Sequence, residues 1–125
     1  GIEALSRGAS RAVFVDEQEA ACRLIRENLK KTHLEAQAQV IRGDYKRYLL
    51  SCREKFRILF LDPPYAEVFL EEAIKIATEI DILQSGGIIA TERPLGKDLP
   101  GEYPGFTRSK DYKYGKTLLT FYTKQ

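Results

Sequence analysis

Ile58-Leu59-Phe60-Leu61-Asp62-Pro63-Pro64-Tyr65 is the stretch around which the rest of the chain is arranged. Four apolar residues that run straight into a charged residue and two prolines predict a short strand buried on both faces and stopped at the edge of a sheet. Each proline fixes φ and lacks an N–H, and the residues that precede a proline, Asp62 and Pro63, are pushed into extended geometry. The resulting turn is stiff and lined with acceptors. The Asp62 carboxylate and the Pro63 carbonyl can face one ligand with no donor competing from Pro63 or Pro64, and Tyr65 adds a flat face beside them. This combination suits a planar base that bears an amino group. Such an amine is a poor nucleophile because its lone pair is delocalised into the ring. Two acceptors on its two hydrogens favour a more tetrahedral nitrogen, while stacking on an aromatic ring fixes the base plane. The plainer reading is a Pro-rich turn after a strand, and a tetrad of this type arises by chance in only roughly a few chains per thousand of this length.

On the N-terminal side, Ala12-Val13-Phe14-Val15 is a second short apolar run, and it too ends in a carboxylate, Asp16. From Glu17 to about Lys31 the residues Ala21, Leu24, Ile25 and Leu29 share one helical face, with Lys30 and Lys31 suited to the C-terminal end of the dipole. Val40-Ile41 predicts a short strand over Gln39 to Arg42, and Gly43-Asp44 turns the chain into a helix from Tyr45 to about Cys52 with Asp44 as its N-cap. Ile2 and Leu5 have helical spacing, and Gly8 is placed as a left-handed cap.

Beyond the Pro-Pro turn, a helix is expected from about Val68 to Glu79 with Leu70, Ala73, Ile74 and Ala77 inward. Gly86-Gly87 signals a turn, Ile88-Ile89-Ala90-Thr91 a strand ending at Glu92, and Arg93 to Gly105 a loop. Phe106 to Tyr112 and Leu118 to Tyr122 read as an antiparallel hairpin around Lys113-Tyr114-Gly115-Lys116. Strands alternating with helices and then a terminal hairpin predict a single three-layer α/β domain over residues 1–125, with a mainly parallel sheet and an antiparallel C-terminal hairpin.

At 125 residues, 43% apolar and 30% charged, the composition is that of a soluble globular domain, and no apolar run reaches membrane-spanning length. Gly1 to Ser10 lacks a basic start followed by a long apolar stretch, so no signal peptide and a cytoplasmic location are expected. Cys22 and Cys52 lie far apart without metal-like spacing, which favours reduced helix cysteines. The only histidine, His33, follows a helix end, where a surface residue is far commoner than a catalyst. Neither a Ser/His/Asp nor a metal constellation competes with the Pro-Pro turn. A formal charge of +2 permits a nucleic-acid partner without arguing for one. Lys46 with Arg47, Arg53 with Lys55, and Lys110, Lys113 and Lys116 near Tyr112 and Tyr114 are candidate phosphate contacts, each also readable as a solvated face. The hairpin lysines can instead protect an exposed strand edge.

Taken together, Gly1-Ile2-Glu3-Ala4-Leu5-Ser6-Arg7-Gly8-Ala9, Phe14-Val15-Asp16, Phe60-Leu61-Asp62-Pro63-Pro64-Tyr65 and Tyr114-Gly115 resemble the bacterial RsmD family. Its members are S-adenosylmethionine-dependent methyltransferases that modify the exocyclic amine, N2, of a guanine in small-subunit (16S) ribosomal RNA. The resemblance implies a Rossmann-like methyltransferase fold, with ribosomal RNA or the assembling small subunit as partner and a monomer as the full-length default. It places Asp16 on the ribose hydroxyls of the cofactor, in keeping with the acidic residue that closes the second strand of dinucleotide folds. Asp44 and Tyr45 would lie at the adenine, and Gly1 would be the last glycine of a cofactor-binding turn. Asp62, Pro63 and Pro64 would hold the target amine beside the cofactor, with Tyr65 stacked on a flipped base. Apart from the resemblance, Arg93 and the loop after Glu92 are candidates to border the target base, and Lys113 and Lys116 are the candidate phosphate contacts named above. In the family a strand and a glycine-rich turn of the type Asp-x-Phe-Ala-Gly-x-Gly precede the opening helix, so the first strand is expected to be missing here and the domain to be N-terminally incomplete. Two other readings stay open: amino methylation of DNA adenine, and a nucleic-acid-binding module without catalytic activity.

Overall fold

The computed structural model describes residues 11–61, 67–95, 99 and 102–125, with the backbone alone at 67–69. The chain divides into two units, Gly1–Ser51 and Cys52–Gln125.

In the first unit, strand β1 (Ala12–Asp16) leads into helix α1 (Glu19–Lys31), and a 3-10 turn at Glu35–Gln37 returns the chain to strand β2 (Ala38–Arg42). The two strands pair in parallel, from Ala12 opposite Ala38 to Asp16 opposite Arg42. Parallel neighbours need a crossover, and α1 provides it. The buried stripe of α1 is Cys22 and Leu29 with Ile25 half-buried between them, whereas Leu24, expected inside, is 57% exposed. Cys22 behaves as a small apolar residue, so the seam runs through positions 22, 25 and 29 instead of through 24. The helix ends in a Schellman arrangement: Leu34 N–H donates to the Leu29 carbonyl at 2.9 Å and His33 N–H to that of Lys30 at 3.2 Å. His33 takes the left-handed conformation there, with φ 58°. Helix α2 (Tyr45–Ser51) follows β2 and buries Leu49.

The second unit contains strand β3 (Phe56–Leu61), helix α3 (Glu67–Glu79), the long strand β4 (Leu83–Pro94), and three strands β5 (Phe106–Arg108), β6 (Tyr112–Tyr114) and β7 (Thr117–Lys124). β3 and β4 are parallel. β7 runs antiparallel to β4, and its other side takes both β5 and β6. As expected, α3 buries Leu70, Ala73, Ile74 and Ala77, and they join Ile82, Leu83, Ile89 and Tyr122 in the core. Each large side chain fully removed from water contributes about 1.5–3 kcal/mol before entropy is counted.

Four expectations need correction. Gly86-Gly87 is no turn between elements but an irregularity within β4, across which the β3 register jumps from Phe56 opposite Leu83 to Ile58 opposite Ile88. Arg93 and Pro94 belong to β4 and not to the loop after it. The hairpin is interrupted: the register with β7 changes by one residue between Arg108–Tyr122 and Tyr112–Leu119, a bulge at Ser109–Asp111. Ser109 repairs the ladder there, its N–H donating to the Phe121 carbonyl at 2.8 Å while its Oγ accepts Phe121 N–H at 3.0 Å. Finally, β3 is not covered on both faces by the described residues. Leu61 is buried, but Ile58 and Phe60, which share one face, are 62% and 54% exposed. Among the described residues, β1 pairs only with β2 and β3 only with β4.

Candidate active site

In open parallel sheets ligands bind beyond the carboxyl ends of the strands. In the first unit that edge carries Asp16, at the end of β1, and Asp44, two residues past the end of β2. Asp16 is fixed twice: its Oδ1 accepts Gln18 N–H at 2.8 Å, and its carbonyl accepts Gly43 N–H at 2.9 Å. The helix N-cap is Gln18, so Asp16 is not simply a helix cap; it closes a turn ahead of α1. Its Oδ2 carries no hydrogen bond among the described residues. The turn is braced from β2 by Arg42, whose Nε donates to the Glu17 carbonyl at 3.2 Å and whose guanidinium stands 3.6 Å from Glu19.

Asp44 is the N-cap expected of it. Its Oδ1 accepts Lys46 N–H at 3.0 Å and its carbonyl accepts Tyr48 N–H at 3.1 Å, which leaves the exposed carboxylate one uncommitted oxygen among the described residues. Tyr45 follows as the half-buried first residue of α2. The two carboxylates thus stand at the carboxyl ends of neighbouring parallel strands, with acceptors suited to hydroxyl or amine donors.

In the second unit the corresponding edge begins at Leu61, buried and opposite Thr91 of β4. Gly1 and Asp62, Pro63, Pro64 and Tyr65 lie outside the described residues.

Arg93 is 3% exposed and points into the protein, so bordering a target base from solvent is not its role. Its Nη1 donates to Thr120 Oγ1 at 2.6 Å and its Nη2 lies 3.1 Å from Asp111 Oδ2. Thr120 in turn donates to Asp111 Oδ1 at 2.6 Å, and Thr91 Oγ1 donates to the Thr120 carbonyl at 2.9 Å. Arg108 completes the group, with Nη2 3.0 Å from Asp111 Oδ1 and Nη1 donating to the Leu99 carbonyl at 3.2 Å. The hydrogen bond from Thr120 is the main force holding the Asp111 carboxyl down to about 2; burial opposes it, and the two arginines add to it. Next to this network Tyr103 and Tyr122 meet edge to face at 5.3 Å, and burial pushes the Tyr103 hydroxyl up to about 12. Sequence reading missed Asp111, Thr120 and Arg108 because, apart from the Arg108–Asp111 pair, their partners lie 9 to 29 residues away. The available signal was a run of polar residues at inward positions of paired strands.

The basic candidates separate. Lys55 is spent on Asp81 at 2.7 Å, at the N-terminal end of β3, and Lys124 joins it from β7 at 2.9 Å. Lys113 and Lys116 are exposed, and neither makes an ion pair among the described residues. Among those residues no group of three or more His, Cys, Asp or Glu can hold a metal ion, and no helix is long and apolar enough to cross a membrane.

The family described as Conserved hypothetical protein 95 matches residues 1–123. The chain belongs to this family, the RsmD methyltransferases. A member from Bacillus subtilis, "Putative rRNA methyltransferase YlbH", is 35% identical over 128 residues, covering all of this chain and 70% of its own length. Ribosomal RNA small subunit methyltransferase D of Escherichia coli is 25% identical, again over all of this chain but 63% of its own. A Streptococcus pyogenes protein of solved structure superposes with TM-score 0.91 at 28% identity, over 99% of this chain and 78% of that one. A Streptococcus mutans methyltransferase-like chain solved in complex with SAH shares the fold alone, at TM-score 0.71 and 21% identity over 97% and 80% of the two chains. The fold is therefore the Rossmann-like methyltransferase fold that the resemblance implied.

Proposed function

We propose that this RsmD-family chain carries the S-adenosylmethionine-dependent transfer of a methyl group to the exocyclic N2 amine of a guanine in small-subunit ribosomal RNA. The observation that carries the reading is the pairing of this family membership with Asp62-Pro63-Pro64-Tyr65, placed by sequence directly after the buried end of β3. The names of the relatives support an RNA substrate, the chemistry of the turn supports an exocyclic amine as acceptor, and the resemblance to the RsmD family supplies N2 of guanine.

The residues present fit the cofactor. Asp16 offers an oxygen beyond its own turn at the edge where dinucleotide folds bind ribose, and Asp44 offers another just past the next strand. Asp16 would take the ribose hydroxyls, and the Asp44-Tyr45 segment the adenine. Bound S-adenosylmethionine supplies an electrophilic methyl on a sulfonium, which already has a good leaving group. The chain's residues then have only to position. The Asp62 carboxylate and the Pro63 carbonyl hold the two amine hydrogens, Tyr65 fixes the plane of the base, and Asp62 stabilises the positive charge that develops on nitrogen before its proton is lost. Neither a strong base nor a covalent intermediate is required.

The test is transfer of labelled methyl to small-subunit RNA, to assembled subunits and to adenine-containing DNA, with this chain and with a form extended upstream through a glycine-rich turn. Label on N2 of a guanine in RNA, abolished by Asp62→Ala, is expected. Label on DNA adenine would transfer the activity to another substrate, and no transfer by either form would remove the reading.

A further inference from the structure

The β6–β7 hairpin ends in a two-residue turn, Gly115-Lys116, between the paired residues Tyr114 and Thr117. Gly115 has φ 61°, the left-handed value such a turn needs at its first central position. Because β7 is antiparallel to β4, with Thr117 opposite Pro94, the tip stands at the carboxyl edge of the parallel strands. β4 reaches Pro94, three residues beyond Thr91, which is opposite the last residue of β3. The tip therefore projects roughly 10 Å past the end of β3. Leu95 N–H donates to the Lys116 carbonyl at 3.1 Å and ties the turn to the end of β4. The hairpin thus forms a wall beyond the carboxyl ends of β3 and β4.

Tyr114 at this tip is 78% exposed and Tyr112, on the same face, is also exposed. Lys110 Nζ lies 5.2 Å from the centre of the Tyr112 ring, whose other neighbour is Phe121 at 5.8 Å. Lys113 and Lys116 flank Tyr114 without ion pairs among the described residues. Protection of a free strand edge accounts for lysines, but it gives no reason for a tyrosine ring held out in water at the same place. Aromatic rings interleaved with unpaired cations are the construction that binds single-stranded nucleic acid, rings stacking on bases and cations following phosphates.

We infer that the hairpin tip is a stacking platform for unpaired RNA nucleotides next to the target base, Tyr114 taking a base face and Lys113 and Lys116 the adjoining phosphates. The inference rests on the RNA-methyltransferase reading and adds where the strand is held outside the catalytic turn. Pulling a base out of its stack leaves neighbouring bases unstacked, and a ring beside the site gives one of them a replacement surface.

The chain has no tryptophan, so Tyr114→Trp places a single indole reporter at the tip. Titration with a single-stranded RNA oligonucleotide should change its emission, and Tyr114→Trp and Tyr114→Phe should bind as tightly as the parent. Tyr114→Ala should weaken binding by on the order of tenfold. The pair Lys113→Ala and Lys116→Ala should lower the slope of log affinity against log salt by about 1.4. Thermal melting of each variant checks folding. If the parent binds RNA and folded Tyr114→Ala binds it equally well, the platform is wrong while the RNA reading stands. If the parent binds no RNA, both fail. Loss of solubility in the lysine pair with unchanged RNA affinity would assign the lysines to edge protection and overturn their proposed role.

Discussion

Arg93 Nη2 lies 3.1 Å from Asp111 Oδ2, joining the C-terminal end of β4 to a bulge that sequence reading placed inside a continuous strand. The bulge makes the contact possible: one extra residue between β5 and β6 re-aims the Asp111 side chain toward Arg93, Arg108 and Thr120. Because Arg93 is almost fully buried, removing an acidic partner takes compensation away from a desolvated charge. Asp111→Ala should cost on the order of 3 kcal/mol, the low end for a broken buried pair because Asp111 itself is partly exposed. Urea unfolding of Asp111→Ala within 1 kcal/mol of the parent would show that the network contributes little.

The same group sets the acid limit of stability. Asp111 is held down to about 2, chiefly by the Thr120 hydrogen bond, and Asp81 is held down to about 2 by hydrogen bonds from Lys55 and then Lys124. Both folded values lie below the unfolded value near about 4, so the unfolded chain takes up these protons first as pH falls. The stability they contribute is complete above about pH 5 and is lost as pH falls toward 2. Unfolding midpoints should therefore be flat from neutral pH to about 5 and decline below it. In Asp111→Asn that decline should be shallower, and equal slopes in the two proteins would exclude Asp111 as a source of the acid sensitivity.

The alternation of strands and helices and the inward face of α3 were legible because they rest on local periodicity. Asp44 was legible as a cap because its partner, Lys46 N–H, is two residues away. Leu24 was misplaced because Cys22 was read for its chemistry and not for its packing. Arg93 was assigned to a loop because its partners arrive from β7 and from the bulge, and neither the bulge nor the register with β7 follows from local pattern. Gly86-Gly87 has the composition of a turn, but β3 pairs with β4 on both sides of it and carries the strand across.

Gly87 is required by close approach rather than by backbone angle. A Cβ there would stand 2.7 Å from the Gln84 carbonyl oxygen and 3.2 Å from that of Arg57, both backbone atoms that cannot move aside cheaply. Gly87→Ala should destabilise by about 1–3 kcal/mol. At Gly43 a Cβ would meet nothing within 4 Å, so Gly43→Ala serves as the contrast. Equal melting temperatures for the two variants would mean that the irregularity in β4 relaxes to admit a side chain.

His33 holds the left-handed position of the Schellman turn, which costs an L-residue about 1–2 kcal/mol. Replacing it by glycine removes that strain and returns only about 0.4–1 kcal/mol of unfolded-chain entropy. His33→Gly should therefore stabilise by roughly 0.5–1 kcal/mol. A destabilised variant would point to a contact of the imidazole that outweighs the backbone.

Asp16 allows a structural role to be told from the proposed cofactor-binding one, because only its Oδ1 is engaged among the described residues. Oδ1 accepts Gln18 N–H, and an asparagine side-chain oxygen can do the same, so Asp16→Asn should keep the turn and melt with the parent. A ribose hydroxyl bonded to a carboxylate gains more than one bonded to a neutral amide, by about 1.4 kcal/mol, which predicts tenfold weaker binding of S-adenosylhomocysteine to Asp16→Asn. Asp16→Ala removes the turn acceptor as well, and should lose both about 1 kcal/mol of stability and most of the binding. Calorimetric titration alongside thermal melting distinguishes the two roles. Weakened binding with an unchanged melt in Asp16→Asn assigns the carboxylate to the cofactor. Unchanged binding in both variants would leave Asp16 as the keystone of a turn, and the ribose would have to be held elsewhere.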